Sequence, residues 1–138
     1  MPIIVPGAQA SRPLTRAAYD KELHRVDAAY RPVYDLTLMV ASSAESDRTV
    51  AHVLPGTIVE LNREASRLRR IESPRDARLA NRSLGSGLRL LAHELNAALA
   101  LARRGRTAAL RSSLVSLPAV RRISAAHDTL FNVGYWRW

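Results

Sequence analysis

The sequence predicts an all-α fold, an up-down four-helix bundle with proline-kinked helices. Three observations lead there. Ala and Leu dominate an apolar fraction of 47%, with aromatics at only 5%, and both are strong helix formers. Four stretches carry apolar residues at steps of three and four, the helical period. Start and stop signals fall between those stretches.

The first helix is expected to start at Thr15, whose hydroxyl can cap it, and to run to about Ala41. Tyr19, Leu23, Val26, Tyr30 and Val33 share one face. Ser42-x-x-Glu45 is a capping-box pattern that opens the second helix. Its stripe is Leu54, Ile58, Leu61, Ala65 and Leu68, ending near Ile71. Arg69 and Arg70 fall in its last turn, where cations favour the helix dipole. Ser73-Pro74, with Asp76 three residues after the serine, predicts a third helix with Ser73 as N-cap and Pro74 at its first position. Ala77, Leu84, Leu88, Leu91, Leu95, Ala98 and Ala102 form its stripe, and Gly105 closes it. Thr107 is expected to cap the fourth helix. Its face is Leu110, Leu114, Leu117, Val120, His127, Phe131 and Gly134, with Gly134 as the residue just past its end.

Pro32, Pro55 and Pro118 fall inside these stretches. Proline removes a helical hydrogen bond, so each must kink or break its helix. The apolar stripes run across all three in phase, which predicts kinks. Counted by helical rise in an antiparallel bundle, the three share one height, where a pocket could open; a curved, solid bundle is the plainer expectation.

At 138 residues the chain fits one domain, read as an N-terminal arm over 1–14 and a bundle over 15–138. Cysteine is absent, which excludes disulfides, thiolate nucleophiles and Cys-ligated zinc. No apolar run approaches the ~18 residues of a membrane span, so an integral membrane protein is not expected. Ala8-Gln9-Ala10 has the spacing of a signal-peptidase site, without a basic n-region or a full apolar core before it. A proline-anchored arm and the tail of a signal peptide both remain open, and extracytoplasmic or secreted placement is the expectation over cytoplasmic.

The chain carries one histidine per expected helix: His24, His52, His93 and His127. Helical rise pairs His24 with His127 and His52 with His93, but the Glu-x-x-His motif of di-iron bundles is missing. No metal, haem or other cofactor is assigned. Gly85-Ser86-Gly87 lies within a helical stripe with no strand before it, so it is not a nucleophile elbow; its glycines allow close helix packing or mark a weak point. A phosphate loop needs a lysine after its glycines, and the one lysine, Lys21, follows none. No catalytic residue is assigned and no enzyme is expected.

Charge is the non-random feature. The net charge is +9. The excess sits in two stretches, Leu61 to Ser83 around the second-to-third helix turn, and Leu101 to Ala126, which has arginines and no acid. An anionic polymer or surface is the partner such charge would attract, and a merely solvated arginine-rich surface is the alternative. The candidate anion-binding residues are Arg103, Arg104, Arg106, Arg111, Arg121 and Arg122. No recognition helix and no aromatics among the arginines add support for nucleic acid.

Both tryptophans stand in the closing Tyr135-Trp136-Arg137-Trp138. Beyond Gly134 this tail lies at the end of the bundle that also carries the start of helix one and the Ser73-Pro74 turn. It can lid the core there, with an arginine stacked on an indole, or serve as an interfacial anchor or docking tail.

The segment LNREASRLRRIESPRDARLANRSLGSGLRLLAHELNAALALARRGR, followed by a helix closing in Gly-Tyr, resembles small helical-bundle proteins of high-GC Gram-positive bacteria, many of them secreted or lipoprotein-like and without an assigned function. The resemblance covers about residues 15 to 135 and lies in a cadence: a Leu-rich helix, a Ser-Pro turn, a long Leu-rich helix, then a last helix ending near Gly. It implies an envelope-associated or secreted binding or structural module. Such relatives often carry a lipobox cysteine or a cysteine pair joining the first and last helices, and this chain has neither. An intracellular binder of nucleic acid or another polyanion is the alternative, and a small-molecule or haem carrier is a second. Homo-oligomers through a leftover apolar stripe remain open.

Overall fold

The computed structural model describes residues 12–41 and 47–137, and these are all-helical, with no strand among them. The elements are α1 (Arg16–Ala41), α2 (Asp47–Arg70), a short 3-10 turn (Arg75–Ala77), α3 (Arg78–Arg103), α4 (Thr107–Val115) and α5 (Pro118–Asn132). The predicted capping box at Ser42 to Glu45 and the Ala8-Gln9-Ala10 site lie outside the described residues.

The first three apolar stripes enter one core. Tyr19, Leu23, Val26 and Val33 of α1 are buried, and so are all five stripe residues of α2 and all seven assigned to the third helix. α3 is the central element and packs against α2, α4 and α5, while α1 packs against α2 and α4. Just before α1, the Leu14 N–H donates to the Glu72 carbonyl at 2.8 Å.

Helix ends follow local chemistry. Thr15 caps α1, its Oγ1 accepting the Ala18 N–H at 3.1 Å. Gly105 and Gly134 each adopt positive φ, +67° and +103°. Beyond α3 the Arg106 N–H reaches the Leu101 carbonyl, and beyond α5 the Tyr135 N–H reaches that of Leu130. Both ends are Schellman motifs, which satisfy carbonyls the helix leaves orphaned.

The expected single fourth helix is in fact two. Leu117 is extended (φ −93°, ψ 106°), as the residue before a proline prefers. Pro118 then starts α5 at a position where its missing N–H is harmless. Glu94 of α3 completes that start, its Oε1 accepting the Ala119 N–H at 2.9 Å. The break resets the helical phase. The buried face of α5 is Ala119, Ile123, Ala126 and Leu130, one residue away from the expected Val120, His127 and Phe131. Pro32 and Pro55, by contrast, lie inside continuous helices. The third helix also starts later than expected: Ser73-Pro74 leads into the 3-10 turn, and neither helical start there has a side-chain cap. Thr107 does not cap α4 either: that helix start has no side-chain cap, and the Thr107 hydroxyl donates to Asp47 Oδ2 at 2.7 Å.

The two glycines of α3 differ in their surroundings. A Cβ on Gly87 would meet Ile123 Cγ1 at 2.9 Å, whereas one on Gly85 would make ordinary contacts at 3.8 Å with α2. Alanine is favoured over glycine in a helix interior by about 1 kcal/mol, and overpacking costs about 1–3 kcal/mol. Gly85→Ala is therefore expected to stabilise by about 0.5–1 kcal/mol, and Gly87→Ala to destabilise by about 1 kcal/mol. Thermal denaturation of the two variants beside the wild type checks both signs.

Candidate anion-binding groove

A basic groove of about 530 Å³, the one most richly lined with arginine among the described residues, lies where α2 ends and α3 begins. Arg69 of α2 and Arg78, Arg82 and Arg89 of α3 line it, with Glu72 as its one carboxylate. Arg78 and Arg82 are four residues apart, and Arg89 follows after a further two turns, so one helix face carries all three. Ser86 lies on the same face, and Gly85 beside it keeps the floor low against α2. Leu68 and Ile71 give the groove an apolar edge.

Asn81 forms part of the floor and is fixed there. Its Oδ1 accepts from the Tyr19 hydroxyl at 2.9 Å, and its Nδ2 donates to the Leu68 carbonyl at 3.0 Å. That carbonyl lies in the last turn of α2, where no helical partner exists. Arg78 stands 3.7 Å from Glu72. Among the described residues Arg69, Arg82 and Arg89 make no ion pair. The end of α2 presents the negative pole of its dipole and the start of α3 the positive pole, so the two offset and the guanidinium groups set the sign of the field.

A junction beside the groove ties this end of the molecule. Arg16 donates to Asp76 Oδ2 and to the Val133 carbonyl, and its guanidinium lies 4.2 Å over the Tyr135 ring. The Tyr135 hydroxyl donates to Asp76 Oδ1 at 2.8 Å, and the ring meets Tyr19 edge-on at 5.3 Å. The expected structural cap is thus seen in Tyr135 and Trp136, both buried. The ring under an arginine is Tyr135 rather than an indole, and Trp138 lies outside the described residues. Asp76, expected near the start of the third helix as part of its cap, is taken by Arg16 and Tyr135. Burial pushes its carboxyl up, but hydrogen bonds from Tyr135 and Arg16 outweigh this and hold it below the ordinary value. Burial, then the bond to Asp76, push the Tyr135 phenol up to about 12.

The six arginines chosen from sequence do not meet in this groove. Arg103, Arg104 and Arg106 are exposed around the turn between α3 and α4, and Arg121 and Arg122 are exposed on α5. Arg111 lines a shallow hollow beside Thr107 and Ser112. The groove arginines Arg69, Arg78 and Arg82 belong to the other basic stretch, from Leu61 to Ser83. The i, i+4 step between Arg78 and Arg82 was the signal that could have found those two. His24, His52 and His93 are exposed and His127 is half-buried, and the described residues contain no group of three metal-ligating side chains. Pro32 and Gly56 meet in a surface hollow between α1 and α2 that does not include Pro118. Among the described residues no helix is long and apolar enough to cross a membrane.

A second charged cluster joins α1 to α2. Arg67 makes two hydrogen bonds to Glu22, at 3.1 and 3.3 Å. Glu64 is buried, its Oε2 without a hydrogen bond and 3.9 Å from Arg67 Nε. Burial raises the Glu64 pKa, and Arg67 only partly opposes this.

Two expectations follow. Asp76 has a lowered folded pKa, so the stability it contributes is present above its unfolded value of about 3.9 and is lost as pH falls through the folded value. Asp76→Asn should lower the melting temperature at neutral pH and flatten the acid-side decline below about pH 4. Glu64 has a raised folded pKa, so its carboxyl favours folding only at acid pH and opposes it as pH rises. Glu64→Gln should raise the melting temperature at neutral pH, and the gain should vanish below about pH 4. Melting curves of both variants from neutral to acid pH test the two signs. Compared with known proteins, the chain matches no family model, no curated protein and no solved structure.

Proposed function

We propose that the chain is a non-enzymatic helical module that binds a phosphate-rich polyanion through the groove between α2 and α3. The observation that carries this reading is the set of four arginines converging on one groove with a single carboxylate and a fixed amide floor. Guanidinium groups match phosphate geometry bidentately, and Ser86 adds a hydroxyl beside them. The net charge of +9 would speed encounter with such a partner.

The architecture behind the site is read as an up-down bundle, with Pro32 and Pro55 as bends within helices. Opposite-running pairings support it: Glu22 meets Arg67, Asn81 meets Leu68, and Glu94 meets Ala119 while Gly87 faces Ile123. An envelope-associated or secreted setting, where phosphate-bearing polymers are exposed, rests on the Ala8-Gln9-Ala10 spacing and the family resemblance. The intracellular alternative would use the same groove on nucleic acid.

Calorimetric titration with long-chain polyphosphate tests the site. Affinity should fall steeply as salt rises from about 50 to about 200 mM. The double variant Arg82→Ser/Arg89→Ser should bind about tenfold or more weakly, with a salt slope reduced by about two. Wild-type binding by that variant, together with loss in Arg103→Ser/Arg104→Ser/Arg106→Ser, would move the site to the turn between α3 and α4.

A further inference from the structure

We propose that a second cavity, between α1 and α5, is a binding site for a small quaternary ammonium compound of the choline type. This goes beyond the anion groove and uses none of its residues. The seam between α1 and α5 leaves a cavity of about 220 Å³. Its walls carry three aromatic side chains, Tyr30, His127 and Trp136, and two carboxylates, Asp27 and Asp128. Among the described residues no arginine or lysine lines it, in a chain whose net charge is +9.

The tail is built to place the indole there. Trp136 has φ +62°, a left-handed conformation that costs a non-glycine residue about 1–2 kcal/mol. Its N–H is held by Asp20 Oδ1 at 2.9 Å, and its indole lies 4.8 Å from the His127 ring, tilted by 56°. His127 in turn stacks on Phe131 at 6.1 Å. Two arginines beside it are engaged: Arg31 reaches Asp27 at 3.3 Å, and Arg137 lies over the outer Phe131 ring and donates to the Phe131 carbonyl. Asp128 is largely exposed at the rim, 3.4 Å from His127 Nδ1.

Ring faces attract a cation through their quadrupoles, by about 0.5–2 kcal/mol each depending on desolvation. The exposed Asp128 at the mouth adds Coulomb attraction, while Asp27 is already met by Arg31. A primary ammonium is strongly hydrated and prefers water. An alkylated nitrogen sheds water cheaply and fills an apolar wall, here given by Val26 and Ile123. Hydroxyl and carboxylate acceptors with aromatic faces, and no fixed cation on the wall, therefore select a methylated ammonium over an anion or a metal.

The test is NMR titration with choline and with its neutral isostere 3,3-dimethylbutan-1-ol. Choline should shift the Trp136 and His127 resonances saturably, and the isostere should bind at least tenfold more weakly. Tyr30→Leu and the exposed Asp128→Asn should each weaken choline binding severalfold. The second substitution lies at the rim and leaves the core intact, so a misfolded Tyr30 variant would not blur the result. Equal binding of choline and isostere, or choline shifts that never saturate, would overturn the proposal. Either result leaves polyphosphate binding at the α2–α3 groove untouched.

Discussion

The amide of Asn81 is the constraint on which the rest of the structure turns. It is buried, where an unsatisfied polar group costs about 1–3 kcal/mol. One arrangement satisfies it: Tyr19 donating from α1 and the Leu68 carbonyl accepting from the end of α2. A slip of any of these three helices would break one of those bonds. Non-polar stripes permit sliding, since one leucine resembles the next, and a buried polar pair does not. The same side chain forms the groove floor, so the register of the fold and the geometry of the site rest on one residue.

Charge is partitioned with a similar economy. Acids are drawn into structural tasks: Asp76 into the Arg16 and Tyr135 junction, Glu94 onto the first turn of α5, Asp20 onto the tail and Glu22 onto Arg67. What remains around the groove is mostly guanidinium. Exposed ion pairs such as Arg16–Asp76 add little individually, but this one sits inside a cluster with an aromatic face and a helix-end carbonyl, which holds its geometry. The tail then closes the α1–α5 seam at the cost of a strained Trp136 backbone.

Much of the fold was legible in residue patterns. Leu54, Leu61, Leu84, Leu91 and Leu95 announce their faces through period alone, and Thr15, Gly105 and Gly134 mark helix ends through their own backbone chemistry. Pro118 was misread because its neighbours Leu114 and Leu117 stay in step with the stripe; only the break at Ser116 and Leu117, and a carboxylate from a distant helix, make it a start. Ser73 and Thr107 looked like caps, but long-range partners decided otherwise: Asp47 takes the Thr107 hydroxyl, and the turn after Ser73 is shaped by what Asp76 binds. The groove was half-legible. Its basic stretch stood out in the charge count, yet the convergence of Arg69 with Arg82 and Arg89 depends on how α2 lies on α3, which no local pattern encodes. The box around Trp136 was invisible, since it joins residues roughly a hundred positions apart.

The proposed anion site is the set of groove arginines, rather than the other basic stretch from Leu101 to Ala126. Chemical-shift mapping with inorganic pyrophosphate addresses it most directly, because the probe is small enough to report one site. Binding in the groove should give saturable shifts at Arg69, Ser86 and the side chains of Arg82 and Arg89, with the amide of Asn81 moving in step. Shifts spread in proportion to arginine exposure, or centred on Arg103 to Arg106, would contradict it.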